Sequence, residues 1–231
     1  MSVLAQRVRA ELKAVADPVR APAMQAYMKS DMPYLGVSAV PLRAACKALF
    51  ADLHYETSAQ WQADVLALWR GAQYREERYA ALALSGIRAA REFQRMGALA
   101  MYEEMIVTGA WWDFIDPIAG QRLAAILATE GPPMKQAMLD WAYSDNMWKR
   151  RSAILCQLNV KRQTDLDLLY ACIAPSLDSR EFFLRKAIGW ALRQYARTDA
   201  AEVTRYVASL GDKLSPLSKR EAMKHIAEQQ A

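Results

Sequence analysis

The sequence predicts an all-α fold, and three observations support that prediction. Glycine is scarce, with nine residues among 231, whereas alanine, leucine, arginine and glutamate, which favour helix, are plentiful. The alternation of β-branched residues that is typical of strands is hard to find. Four pairs of capping residues precede apolar-periodic segments: Thr57 with Gln60, Asp178 with Glu181, Asp199 with Glu202, and Ser218 with Glu221. We therefore expect roughly twelve to fourteen helices of about ten to eighteen residues each.

The first predicted helix lies in the N-terminal segment 1–15, where Arg7, Arg9, Glu11 and Lys13 interrupt the apolar residues. That pattern indicates an amphipathic helix and not a signal peptide. No segment approaches the roughly 18 uncharged apolar residues that a membrane span needs.

Turn-forming residues separate the predicted helices further along the chain. They stand at Asp17-Pro18, at Pro33 to Gly36, at Gly131 to Pro133, and at Gly211 to Pro216. Because no connection is long enough to act as an interdomain linker, we expect residues 1–231 to form a single domain.

Segment 146–160 is predicted as a helix with Ile154, Leu155 and Leu158 facing inward. Its basic residue Arg151 is preceded directly by two further cations, Lys149 and Arg150. Successive helical residues are turned by about 100° from one another, so these three charges point in three directions.

Segment 181–197 is predicted as a long amphipathic helix. Its apolar stripe consists of Phe182, Phe183, Ala187, Ile188, Ala191 and Leu192. Gly189 lies in the helix interior, where a small residue permits close approach of another backbone or of a ligand. Trp190 shares much the same face with Arg193 and Arg197. A core position is the alternative for this tryptophan, but the two arginines fit a nucleic-acid surface better.

The spacing of similar residues indicates degenerate helical repeats. Trp112 and Trp148 are 36 residues apart, and Arg151 and Trp190 are 39 apart, close to the period of about 40 in HEAT-type repeats. The predicted architecture is therefore an α-α superhelix (solenoid) of HEAT-like repeats with a concave basic groove. A compact helical bundle is the alternative.

The net charge of +5 is concentrated in one part of the chain. Ten basic and five acidic residues lie between Asp145 and Arg197, so the remainder is formally neutral. Such a segment is typical of phosphate binding, although a solvated helical surface has the same composition.

Cysteine and histidine usage argues against a metal site. The three cysteines are scattered, and neither of the two histidines stands in a metal-ligand spacing. We expect no metal, no cofactor, no disulfide and a reducing cytoplasmic compartment. Dinucleotide, phosphate-loop, zinc-protease and Ser/His/Asp motifs are absent, which disfavours a small-molecule enzyme.

The candidate site lies in segment 111–116, Trp-Trp-Asp-Phe-Ile-Asp. If it is helical, Trp112 and Asp116 share one face. A ring face and a carboxylate both favour a cation, and the carboxylate stabilises positive charge that develops during bond cleavage. Trp111 would then point elsewhere and pack inside. Two structural alternatives remain: Asp113 as a helix N-terminal residue, and Asp116 as the cap of a helix that begins at Pro117.

Five segments in order resemble the AlkD-type DNA alkylation-repair glycosylases. They are 27–29 with 33–37 (Tyr-Met-Lys and Pro-Tyr-Leu-Gly-Val), 111–116, 144–155 (Ser-Asp-Asn-Met-Trp-Lys-Arg-Arg-Ser-Ala-Ile-Leu), 181–193 (Glu-Phe-Phe-Leu-Arg-Lys-Ala-Ile-Gly-Trp-Ala-Leu-Arg) and 217–222 (Leu-Ser-Lys-Arg-Glu-Ala). The resemblance spans nearly the whole chain. It implies a HEAT-like solenoid that grips duplex DNA in its concave groove. A self-contained solenoid with DNA as its partner indicates a monomer with no obligate protein partner, and we expect it in the cytoplasm, associated with the nucleoid.

The resemblance also assigns site residues. The family's catalytic aspartate matches Asp116, its two site tryptophans match Trp112 and Trp190, and its site arginine matches Arg151. The implied DNA-binding residues are Tyr27, Arg43, Lys47, Arg193 and Arg197.

The implied reaction is hydrolysis of the N-glycosidic bond of a cationic alkylated purine, of the N3-methyladenine or N7-methylguanine type, in duplex DNA. It leaves an abasic site. Asp116 would stabilise the oxocarbenium-like sugar and position water, and Arg151 would hold a phosphate. The resemblance implies an exception to base flipping, so the base would need no pocket. The alternative is a non-catalytic helical-repeat scaffold that binds DNA or protein.

Overall fold

The computed structural model describes residues 2–229 of the chain, with side chains as far as residue 226. These residues form fourteen α-helices, and no strand occurs among them, so the all-α prediction is confirmed. The first seven helices are α1 (Val3–Ala14), α2 (Ala21–Met28), α3 (Ala39–Leu49), α4 (Ser58–Arg70), α5 (Arg75–Leu84), α6 (Leu99–Gly109) and α7 (Trp112–Pro117). The others are α8 (Ala124–Glu130), α9 (Pro132–Ala142), α10 (Met147–Leu155), α11 (Leu166–Ile173), α12 (Phe182–Ala196), α13 (Ala200–Leu210) and α14 (Pro216–Gln229).

Several helices are shorter than the sequence predicts. Helices α7 and α8 have only 6 and 7 residues, and the π-helical segment Ile118–Leu123 joins them. Helix α10 ends at Leu155, and Leu158 follows it in a turn, half-buried against the core. In α12 the predicted stripe residue Phe182 is 57% exposed, because it occupies the first helical position, before the buried face begins.

The chain divides into two compact units, Met1–Met101 and Tyr102–Ala231. In the first unit α1 packs against α3, α4 and α5. In the second unit α9 packs against α10 and α11, and α12 packs against α13 and α14. In the second unit α9 and α12 thus each pack against the next helix and the one after it, which is consistent with an α-α superhelical repeat fold.

The predicted N-terminal amphipathic helix is confirmed as α1. Val8 and Leu12 face the core and are fully buried. On another face Arg9 forms a two-point ion pair with Glu77 of α5, with Nε–Oε1 and Nη2–Oε2 distances of 2.7 and 2.8 Å. Paired geometry of this kind offsets the cost of burying the Glu77 carboxylate.

A second buried carboxylate organises the loop before α3. Both oxygens of Glu76 accept hydrogen bonds from the backbone amides of Leu35, Gly36 and Val37, at 2.9 to 3.1 Å. Gly36 has a φ of +82°, and a Cβ there would lie 2.0 Å from the carbonyl oxygen of Asp17. The loop therefore requires glycine at this position.

Close packing of α12 against α14 in the second unit also depends on a glycine. A Cβ at Gly189 would lie 2.5 Å from Cβ of Glu221 and 2.9 Å from the carbonyl oxygen of Ser218. The sequence allows either another backbone or a ligand beside Gly189. The structure places the backbone of α14 there.

Two of the four predicted caps are confirmed. Thr57 and Gln60 form a reciprocal capping box at the start of α4. Asp199 accepts a hydrogen bond from the amide of Glu202 at 2.9 Å and caps α13.

The other two predicted caps are wrong. Helix α12 begins after Glu181, whose side chain makes no capping bond, so Asp178 lies outside the helix. Ser218 lies inside α14, and its hydroxyl donates to the carbonyl of Arg185 at 2.9 Å. Ser215 is the residue whose hydroxyl accepts from the Ser218 amide, at 3.0 Å. In both cases more than one polar residue lies close to the helix start, and spacing in the sequence alone does not determine which of them is the N-terminal cap.

All three cysteines are free and buried. Burial raises the pKa of the Cys46 thiol to about 11 and that of Cys172 to about 12, and it raises the pKa of Cys156 well above its usual range. Across the described part of the chain, no three His, Cys, Asp or Glu side chains are grouped to hold a metal ion. None of the helices described is long and apolar enough to cross a membrane.

Candidate functional site

The candidate segment is helical from Trp112 onward, which is the condition under which Trp112 and Asp116 share one face. Helix α7 begins at Trp112, so Trp112 and Asp116 stand four residues apart in one helix. Pro117 is the last residue of α7, and the backbone continues without a break into the π-helical segment. No new helix starts at Pro117, so the alternative in which Asp116 caps one is wrong. Asp113 lies in the first turn of α7, where its charge complements the helix dipole.

Asp116 forms a buried two-point ion pair with Arg151 of α10. Nε of Arg151 donates to Oδ1 of Asp116 at 2.7 Å, and Nη2 donates to Oδ2 at 2.8 Å. The side chains of Arg151 and Asp116 are only 5% and 11% exposed. Parallel N–H···O bonds of this kind are short and directional, so they fix the plane of the carboxylate as well as its position.

The environment of Asp116 raises the pKa of its carboxyl group above the ordinary value. Burial is the main cause, because a low-dielectric surrounding disfavours the charged form. The hydrogen bonds and charge of Arg151 act in the opposite direction, and the nearby carboxylate of Asp113 adds to the rise. Asp116 is thus a desolvated carboxylate held in place by one guanidinium.

The guanidinium of Arg151 is itself held from a third side. Its Nη1 donates to the backbone carbonyl of Phe183 at 2.6 Å, and its Cζ lies 6.0 Å from the Phe183 ring centroid. The Phe183 ring packs with Trp148 and Trp111, at centroid distances of 5.0 and 5.3 Å. Trp111 therefore packs into this aromatic cluster, away from the Trp112 face.

The three consecutive cations of α10 do point in three directions. Nζ of Lys149 lies 2.6 Å from Glu103 and 5.1 Å from the Trp141 ring centroid. Arg150 donates to the carbonyl of Pro175 at 2.8 Å and to the hydroxyl of Ser176. Only Arg151 reaches Asp116.

Trp190 lies in the middle of α12, the helix that packs against α10. It is half-buried and contacts the core of the second unit. Arg193 pairs with Glu221 at 2.8 Å, whereas Arg197 is exposed and lies 3.3 Å from a ring nitrogen of His225.

The remaining candidates lie in the first unit. Tyr27, in α2, is 77% exposed. Arg43 and Lys47 are both exposed on one face of α3 and line a cleft of about 710 Å³ together with Arg88. In the part of the chain that the structure describes, none of these three cations forms an ion pair.

The structure thus brings Asp116 together with Arg151 and adds Phe183, which the sequence placed only in an apolar stripe. Arg151 and Phe183 are 32 residues apart, and the contact uses a backbone carbonyl, which every residue carries. No side-chain pattern could have revealed it. Pairing of Asp116 with Arg151 could have been suspected, since both lie in segments of one resemblance.

Comparisons with family models and with solved structures both find matches to this chain. The family model described as DNA alkylation repair enzyme matches residues 8–226. The chain is similar to a solved structure described as a predicted DNA alkylation repair enzyme from Enterococcus faecalis. That likeness has a TM-score of 0.82 and 29% identity, and it covers 92% of this chain and 97% of the other. No match was found among curated proteins.

Proposed function

The chain belongs to the DNA alkylation repair enzyme family, and we propose that it acts there as a DNA glycosylase. The proposed substrate is duplex DNA that carries a cationic alkylated purine, such as N3-methyladenine or N7-methylguanine. Hydrolysis of the N-glycosidic bond would release the base and leave an abasic site. We further propose a single functional domain that works as a monomer in the cytoplasm, without cofactor or obligate protein partner.

The observation that carries this proposal is the carboxylate of Asp116, which is 11% exposed, stands four residues from Trp112 in α7 and is oriented by Arg151. A carboxylate that has lost most of its water interacts more strongly with a developing positive charge than an exposed one does. Its rigid pairing also means that little reorganisation is needed when the charge appears. These are the properties that cleavage through an oxocarbenium-like sugar requires.

In the proposed reaction the bond between C1′ of the sugar and the purine nitrogen breaks, and its electron pair neutralises the cationic base. No general acid is needed, because the methylated base already carries positive charge. Asp116 stabilises the sugar cation and orients a water molecule whose oxygen attacks C1′. The proton of that water passes to Asp116 or to solvent, and the raised pKa of Asp116 favours the transfer.

The remaining residues bind and position the DNA in this proposal. Trp112 and Trp190 offer ring faces to the deoxyribose and to the positive charge on it. Arg151 has five N–H groups, of which two donate to Asp116 and a third donates to the carbonyl of Phe183. The other two N–H groups would donate to a phosphate oxygen in this proposal. The phosphate contacts of the first unit fall to Arg43 and Lys47, together with the ring of Tyr27. Those of the second fall to Arg197 and to the N–H groups of Arg193 that do not bond Glu221.

One observation favours a second candidate function, a non-catalytic helical-repeat scaffold that binds DNA or protein. Asp116 is already neutralised by Arg151, as in a purely structural ion pair. A scaffold has no use for a carboxylate near phosphates, so it should bind DNA better when Asp116 is replaced by asparagine. A glycosylase should instead lose turnover.

The test is release of N7-methylguanine from duplex DNA by the native chain and by Asp116→Asn. We expect release by the native protein and a loss of about a hundredfold or more in the variant, the usual effect of removing one electrostatic stabiliser. Asp113→Asn is the matched control, with the same chemical change three residues away in α7, and it should retain most of the rate. Binding without release by the native protein would favour the scaffold.

A further inference from the structure

The basic segment between Asp145 and Arg197 has fewer cations available to phosphate than its sequence indicates. Six of its ten cations are held by other groups of the protein. They are Lys149 with Glu103, Arg150 with Ser176, Arg151 with Asp116, Arg185 with the carbonyl of Ser179, and both Lys186 and Arg193 with Glu221. The remaining four are not held by an acidic side chain, a hydroxyl or a backbone carbonyl among the described residues, namely Lys161, Arg162, Arg180 and Arg197. These four therefore have the most N–H groups left to donate to an anion.

Two of the four line the same cleft in the second unit. This cleft has a volume of about 430 Å³ and is bordered by the end of α10, by α11 and by α12. Lys161 and Arg197 supply its positive charge, and Asn159, Gln194 and Tyr195 supply further polar groups. No aspartate or glutamate is found among the described residues that line it. The cleft thus combines hydrogen-bonding groups with uncompensated positive charge.

The backbone at Lys161 adds an independent observation. Its φ is +54°, a left-handed conformation that a lysine adopts at a cost and a glycine adopts freely. Thr164 stabilises this conformation, because both its hydroxyl and its amide donate to the carbonyl of Lys161, at 2.7 and 3.1 Å. These hydrogen bonds fix the backbone of Lys161 at the edge of the cleft.

We propose that this cleft binds a phosphate of the duplex DNA backbone, with Lys161 and Arg197 as its cationic ligands. The assignment of DNA as the ligand rests on the proposed function. Arg197 follows Trp190 by seven residues, which corresponds to about 10 Å along the helical direction of α12. The bound phosphate therefore belongs to a nucleotide that flanks the lesion, and its role is to fix the register of the strand.

The salt dependence of binding tests this proposal, since each phosphate contact contributes a slope of about −0.9 to log K against log salt. Binding of a short undamaged duplex would be measured by fluorescence anisotropy between about 50 and 200 mM salt. We expect Lys161→Ala to reduce the slope by about one and Lys161→Arg to retain it. Arg162→Ala is the matched control, because Arg162 is the adjacent exposed cation and does not line the cleft.

An unchanged slope in Lys161→Ala, or an equal loss in Arg162→Ala, would overturn the proposal. Binding of thymidine monophosphate that is lost in Lys161→Ala, together with a duplex slope that Lys161→Ala leaves unchanged, would assign the cleft to free phosphate compounds and would also overturn it. Circular dichroism of each variant establishes that it is folded. Because the slope is measured on undamaged duplex, it reads the same whether or not methylated bases are released. Failure of the glycosylase proposal can therefore be distinguished from failure of this one.

Discussion

Replacing Arg151 by methionine tests whether Asp116 is held as a buried anion. The variant keeps most of the packing volume but removes both short partners of the carboxylate, at 2.7 and 2.8 Å. Removing one member of a buried ion pair costs about 3–5 kcal/mol. Because the Asp116 side chain retains 11% exposure, we expect the lower end of that range, about 3 kcal/mol. A domain with about 5–15 kcal/mol of stability still folds after such a loss.

The stability lost in Arg151→Met should depend on pH, and the titration of Asp116 determines whether the loss grows or shrinks as pH falls. Burial already raises the pKa of Asp116 in the native protein, and removal of Arg151 raises that pKa further. A carboxyl group with a higher pKa in the folded state contributes stability at low pH, and that contribution disappears as pH rises through the folded pKa. The deficit of the variant should therefore shrink between about pH 7 and pH 5, by at most about 1.4 kcal/mol per pH unit.

Urea denaturation followed by circular dichroism measures the deficit at both pH values. Arg150→Met is the matched control, because Arg150 is the neighbouring arginine and contacts only neutral groups, the carbonyl of Pro175 and the hydroxyl of Ser176. Its deficit should be smaller and independent of pH. The reasoning is refuted if Arg151→Met costs less than about 1 kcal/mol, or if its deficit is equal at both pH values.

Three further substitutions probe backbone and packing, each measured by thermal or urea denaturation. Gly36→Ala should lower the free energy of unfolding by about 3 kcal/mol or more, because its φ is +82° and a backbone oxygen lies 2.0 Å from the new Cβ. Its control is Gly97→Ala, which should be close to neutral because the new Cβ lies in open space. Gly189→Ala should cost about 1–3 kcal/mol, because its Cβ would lie 2.5 Å from Cβ of Glu221; an unchanged midpoint would mean that α14 moves away freely. Lys161→Gly should gain up to about 1 kcal/mol by relieving the left-handed strain while it weakens duplex binding, and a loss of stability would contradict that strain.

Local patterns in the sequence predicted the number of helices and the positions of several of them. The amphipathic periodicity of α1 and α12, the capping box at Thr57 and the cap at Asp199 are short-range features, and the structure confirms them. The failures at Asp178 and Ser218 also have a local origin. Several serine and aspartate residues lie near each of those helix starts, and packing selects which of them is used.

The candidate site was predictable only in part. The i, i+4 relation of Trp112 and Asp116 follows from helical geometry, so one face of α7 could be read from the chain. The partners of the cations between Asp145 and Arg197 could not be predicted, because they lie up to 46 residues away in sequence, as Lys149 and Glu103 do. For the same reason the sequence did not show that six of the ten cations in this segment are held by other groups of the protein.

The burial of all three thiols has a consequence for the survival of the protein under chemical attack. The reagents that methylate purines are electrophiles, and a cysteine thiolate is among the strongest nucleophiles that a protein offers them. With a pKa of about 11, the Cys46 thiol is ionised to about one part in ten thousand at neutral pH, and the thiols of Cys156 and Cys172 still less. We therefore expect the three thiols to react slowly with the same agents that would create the proposed substrate.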